Sequence, residues 1–193
     1  MPDWERELGA LPRGTHAVLL HRGPGLARRV AGRFAAEGLA HREAVVLSGE
    51  GTEIERILVT LTSQGVDVDG EHGRNRLLLL HCDEDQATHL AGNLEYLLGW
   101  VEDQVHTAEI RIWNHWAGTL TERGLWQEAM ALEAAIGDLK GAATVLCHHD
   151  VGRMEDPGER LDGLTTLHDA VFAPEDPEAG TPRVAPVAAP PIP

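Results

Sequence analysis

Histidine and cysteine recur at one kind of place in this chain. Four apolar runs that read as buried strands each end in them. Ala17–Leu20 enters His21, and Leu77–Leu80 enters His81-Cys82-Asp83. Glu109–Ile112 enters Trp113-Asn114-His115, and Ala143–Leu146 enters Cys147-His148-His149-Asp150. Imidazole and thiolate are zinc ligands, imidazole also holds haem iron, and a thiol beside an imidazole is a nucleophile–base pair. An aromatic wall with a few polar anchors is the usual form of a small-molecule site. The candidate ligand-binding set is therefore His21, His81, Trp113, His115, Cys147, His148 and His149. The candidate metal set, for zinc or a haem iron, is His21, His81, Cys82, His148 and His149. Adjacent strand residues point to opposite faces. His81 and Cys82 cannot share one ion unless the strand ends between them, and the same limit applies to Cys147 and His148. The spacing matches no compact metal motif and no nucleophile elbow, so no catalytic residue is assigned.

These residues meet only if the strands lie side by side in one direction. The sequence alternates strand and helix patterns five times. Strands at Ala17–Leu20, Ala44–Leu47, Leu77–Leu80, Glu109–Ile112 and Ala143–Leu146 are separated by helical spacing at Leu26–Ala40, Glu53–Gln64, Asp83–Thr107 and Leu125–Leu139. A last helix is expected over Leu161–Phe172. Such alternation predicts an α/β fold, a three-layer sandwich with a five-stranded, mainly parallel sheet. In that fold the strand C-termini share one edge, where open sheets take ligands. His16 lies roughly 16 Å from His21 along an extended strand. It belongs at the opposite edge, where a structural hydrogen bond is the expected role.

The turn after the first strand reads His21-Arg22-Gly23-Pro24-Gly25 and leads to Arg28-Arg29. A P-loop would need a lysine and a serine or threonine at this point, and both are missing. Their absence argues against ATP hydrolysis by the usual mechanism. A helix N-terminus still favours an anion, so Arg28 and Arg29 are the candidate cofactor-binding residues.

Residues 1–14 read as a short helical lead, 15–172 as one domain and 173–193 as a disordered tail rich in proline and alanine. The formal net charge is −15 and Lys140 is the only lysine. An acidic surface without a basic patch argues against direct nucleic-acid binding. No run is apolar enough for a membrane span and no signal-peptide core stands at the start, so a cytoplasmic location is expected. The two cysteines then read as free thiols.

A pattern spread over about residues 15–172 resembles the MEDS family, the sensory domain of methanogens, methylotrophs and the dichloromethane regulator. It comprises His16, Phe34–Leu39, Arg42–Leu47, Leu61–Asp69, Arg111, Glu133, Val145–Asp150 and Leu164–Phe172 with His168. The resemblance implies a degenerate P-loop fold similar to the RecA and KaiC-like ATPase core. It also implies a sensor of small hydrocarbon-type molecules acting in signal transduction, as in transcription regulation, while cations that are almost all arginine point to a GC-rich bacterial genome. Its relatives sit beside DNA-binding, kinase or anti-sigma modules. Output here is expected through such a partner protein or a homodimer. Leu132 and His149 stand where the family has tyrosine, and His21 ends a strand where an aromatic hydroxyl is common in it, which implies a histidine-rich pocket. The alternative is a metal- or thiol-dependent enzyme working in the same His/Cys crevice.

Overall fold

The computed structural model describes residues 3–81, 93–105, 109–139, 143–154, 157–176 and 181–186. The elements run α1 (Asp3–Gly9), β1 (His16–His21), α2 (Pro24–Ala40), β2 (Ala44–Gly49), α3 (Gly51–Ser63), α4 (Val68–Gly73), β3 (Leu77–His81), α5 (Leu94–Gln104), β4 (Ile110–Asn114), α6 (Trp116–Glu122), α7 (Trp126–Asp138), β5 (Thr144–Asp150), α8 (Pro157–Leu167), β6 (Ala170–Asp176) and β7 (Thr181–Pro186). The strands form one sheet in the order β3-β2-β4-β5-β1-β6-β7.

The α/β class and the parallel sheet follow the sequence pattern. The strand count does not: β1 to β6 pair in parallel and β7 closes the edge antiparallel. The short run Ala170-Val171-Phe172, expected to continue the last helix, instead pairs with the free edge of β1. Residues Ala173–Asp176 and Thr181–Pro186, expected as tail, lie in β6 and β7. Pro182 and Pro186 lie on the edge strand β7, and Pro174 lies past the last β6 residue paired with β1, where proline is tolerated because an outward N–H needs no partner. That is why composition misled here. Two further helices were not foreseen. Asp67 caps α4 by accepting a hydrogen bond from the Gly70 N–H at 3.1 Å, and α6 fills the step from β4 to α7.

Strand alternation divides the core. Ala17, Leu19, Val45, Leu47, Trp113 and Leu146 face α1, α2 and α3. Ala44, Val46, Val145 and Cys147 face α5, α6 and α7. Val18, Leu20 and Val171 pack against Met154 and against Leu164 of α8. Every residue of β1, β2 and β5 is buried, as a parallel sheet covered on both faces requires. Among the described residues, no helix is long and apolar enough to cross a membrane.

At the base of the sheet the buried Arg111 holds Glu43 through Nε at 2.5 Å and Nη2 at 3.0 Å, and its guanidinium lies 4.8 Å from the centre of the Phe34 ring. Three pieces of the family pattern are thus one structural contact.

Candidate functional site

The end of β5 sorts its histidines by parity. Leu146 and His148 point to the α2/α3 face, and Cys147 and His149 point to the α6/α7 face. Two separate imidazole groups result, one in a cleft and one inside the core.

The cleft has a volume of about 320 Å³ and lies over the C-terminal ends of β1, β4 and β5, beside the start of α2. His148 forms its floor. Its Nδ1 is 3.0 Å from His21 Nε2, and its Nε2 is 2.6 Å from His115 Nδ1. A neutral imidazole has one donor and one acceptor nitrogen. The three rings therefore form a directional chain of hydrogen bonds in which His148 donates to one neighbour and accepts from the other. Trp113 supports the chain from below, stacked on His148 with ring centres 4.5 Å apart and planes at 19°.

Close backbone approach makes this packing possible. A Cβ on Gly118 of α6 would stand 2.3 Å from the His148 carbonyl oxygen, and one on Gly49 would stand 2.9 Å from His115 Cβ. Both positions need glycine.

Around the rim, acids and arginines are interleaved. Arg153 Nη1 donates to Glu122 Oε2 at 2.6 Å, and its Nε lies 3.8 Å from Asp150. Arg123 lies 3.9 Å from Glu50. Burial lowers the His21 pKa to about 4, against the pull of Asp150 in the opposite direction. Burial also lowers His115, against Glu122 and Glu50, and holds His148 well below the ordinary histidine value. The chain of rings is neutral at neutral pH.

The second group surrounds Glu133, a fully buried carboxylate on α7. Its Oε1 is 2.7 Å from His149 Nε2, and its Oε2 is 3.1 Å from His16 Nε2 and 3.2 Å from His168 Nε2. Cys147 Sγ is 3.4 Å from His16 Nε2 and accepts from Asn114 Nδ2 at 3.2 Å. Burial alone would raise the Glu133 carboxyl, but the imidazoles outweigh it and hold the pKa well below the usual range. Burial and the nearby Glu133 charge push the Cys147 thiol up.

Of the expected ligand-binding set, His21, His115 and His148 reach the cleft. Trp113 lies beneath it, fully buried. Cys147 and His149 belong to the other face, because the pleat turns them away from His148. His81 is exposed at the end of β3 and lines no part of the cleft, since β2 and β4 stand between β3 and β5. Among its described members the expected metal set does not assemble either: His149 faces the core and His81 stands beyond β2 and β4. His148 offers a different nitrogen to each neighbour, so His21, His115 and His148 cannot converge on one ion. Cys82 lies outside the described residues. Arg28 turns to Glu53 at 3.6 Å and Arg29 is exposed, while the arginines lining the cleft are Arg56, Arg123 and Arg153.

Sequence reasoning missed the second group as a site. Glu133 carried a signal that was open to use. It sits four residues after Ala129 and three before Ile136, on the apolar face of α7. An acid at such a position needs buried partners.

A six-stranded parallel sheet with helices on both faces, and a cleft at the strand C-termini, define an α/β domain of RecA and KaiC-like architecture. Among solved structures, a KaiC-like protein from the hyperthermophilic archaeon Pyrococcus horikoshii OT3 is similar, with a TM-score of 0.59 and 16% identity over 90% of this chain and 77% of that one. At that identity the likeness speaks for the fold alone. No curated protein matches the chain. The family model for MEDS, the methanogen/methylotroph, DcmR sensory domain, matches residues 15–169. The chain belongs to that family, and the family suggests a sensory or regulatory role.

Proposed function

We propose that this chain is a cytoplasmic sensory protein that binds a small molecule in the cleft over β1, β4 and β5. It signals through a protein partner and does not hydrolyse ATP. The main support is a cleft of about 320 Å³ at the strand ends of a sensory-family domain. That volume suits a metabolite-sized ligand.

The lining argues for a polar one. Neutral imidazoles offer donors and acceptors, and the acid–arginine pairs offer both charges. Pro24 and Ala27 are the only apolar residues lining it among those described. A short alcohol, amine or carboxylic acid finds partners for its polar end there, whereas a bare hydrocarbon finds few.

The start of α2 reads as a degenerate P-loop. Its turn has no lysine or hydroxyl, and Glu50, Glu53, Glu122 and Asp150 would face a triphosphate. The acidic surface favours output through a kinase, an anti-sigma factor, a transcription regulator or a second copy over direct contact with DNA. Cys147 gives a thiol enzyme little support, since it is buried on the other face with its pKa raised.

Thermal melts of the full chain against short alcohols, amines, carboxylic acids and magnesium-ATP test the reading. A saturable rise in Tm with a small polar compound, lost in His115→Gln, is expected. A response to magnesium-ATP alone, or hydrolysis of it, would overturn the reading.

A further inference from the structure

We propose that His16, Glu133, Cys147 and His168 form a closed tetrahedral zinc site inside the core. This inference does not depend on the cleft or its ligand. The four come from distant parts of the chain: the start of β1, the middle of α7, the middle of β5 and the turn before β6. All four are buried, and one ligand atom from each lies within 4.8 Å of the others.

Three of the six ligand-atom separations come close to those of a zinc site, and the whole set stays within 4.8 Å. Zinc bonds of roughly 2.0–2.1 Å to nitrogen or oxygen and 2.3 Å to sulfur place tetrahedral ligand atoms roughly 3.3–3.6 Å apart. His16 Nε2 is 3.1 Å from Glu133 Oε2 and 3.4 Å from Cys147 Sγ, and His168 Nε2 is 3.2 Å from Glu133 Oε2. The donor set, two imidazoles, a carboxylate and a thiolate, is one that zinc takes and magnesium and calcium do not.

Proton accounting independently asks for a cation at this point. His168 Nδ1–H donates to the Leu164 carbonyl at 2.6 Å. In a neutral ring this leaves a bare lone pair on Nε2, aimed at the Glu133 carboxylate. On the far side, His149 Nε2–H donates to Glu133 Oε1 at 2.7 Å and its Nδ1 faces the Thr121 hydroxyl at 3.2 Å. Without a metal, one extra proton must lie between His168 Nε2 and Glu133 to hold that contact. Zinc between His168, His16, Glu133 and Cys147 replaces that proton. Its two positive charges balance the carboxylate and the thiolate, so the loaded site is neutral. Binding expels the thiol proton and leaves His16 protonated on Nδ1.

The surroundings are those of a metal site. The Leu164 carbonyl fixes the His168 tautomer, His149 holds the spare oxygen of Glu133, and Asn114 donates to the sulfur. Such supporting hydrogen bonds orient ligands and tune a metal. Full burial fits a structural zinc that ties β1, β5, α7 and the start of β6 together.

Elemental analysis of the purified full chain, followed by X-ray absorption at the zinc edge, tests the proposal without any variant. One zinc per chain with a single sulfur neighbour is expected. Cobalt added to chelator-treated protein should give a thiolate-to-cobalt charge-transfer band that survives Cys82→Ser and disappears in Cys147→Ser. Absence of zinc together with failure to take up zinc or cobalt would overturn the proposal. So would a metal with no sulfur neighbour, or a band that depends on Cys82 instead.

Discussion

Three histidines share the cleft floor, and each differs from a free imidazole because water is excluded from it. A histidine whose folded pKa is depressed binds fewer protons than in the unfolded chain, so its contribution to stability is complete above the ordinary value and is lost on acidification. For His21 the window runs from 6.5 down to about 4. A shift of that size from one group is worth up to about 3 kcal/mol. His115 shifts in the same direction. Melts between pH 7 and pH 4 should show Tm falling steeply below about 6.5 in the wild type and less steeply in His21→Gln. A flat profile in the wild type would contradict the neutral chain of rings.

At the level of elements, the contact between α6 and β5 sets the cleft geometry. Gly118 gives way to nothing when a methyl group is added, because the opposing atom is the backbone oxygen of His148. Gly118→Ala should push α6 outward, cost about 1–3 kcal/mol as overpacking does, and pull His115 off His148. Chemical denaturation would measure the first effect, and imidazole NMR resonances the second. Helix α6 was absent from the sequence reading. Its residues Trp116–Glu122 are nearly all buried, so no polar face marks them as a helix. By contrast α2 and α3 present clear apolar stripes, and both were legible.

For the whole molecule, the sheet extends beyond the strand at which the composition turns rich in proline. Phe172 is fully buried against the α1/α2/α3 face of the core, and Val171 packs on the α8 side. Truncation after Asp169 should therefore cost several kcal/mol, since loss of a buried phenylalanine alone costs about 3–5 kcal/mol. It should also expose the edge of β1 to aggregation. Truncation after Asp176 should keep β6 and most of that stability. Urea denaturation and light scattering of the two shortened chains would separate these outcomes.

The sequence by itself determined the α/β class, the parallel sheet, and the placing of His21, His115 and His148 at one edge. Those features follow from local periodicity and from the rule that parallel strands end together. Tertiary structure decided the rest. Parity along β5 sent His148 to the cleft and Cys147 with His149 to the core, where α7 brings Glu133 and the turn before β6 brings His168. A periodicity of two says that neighbours part company. Only the packed helices say which partner waits on each side.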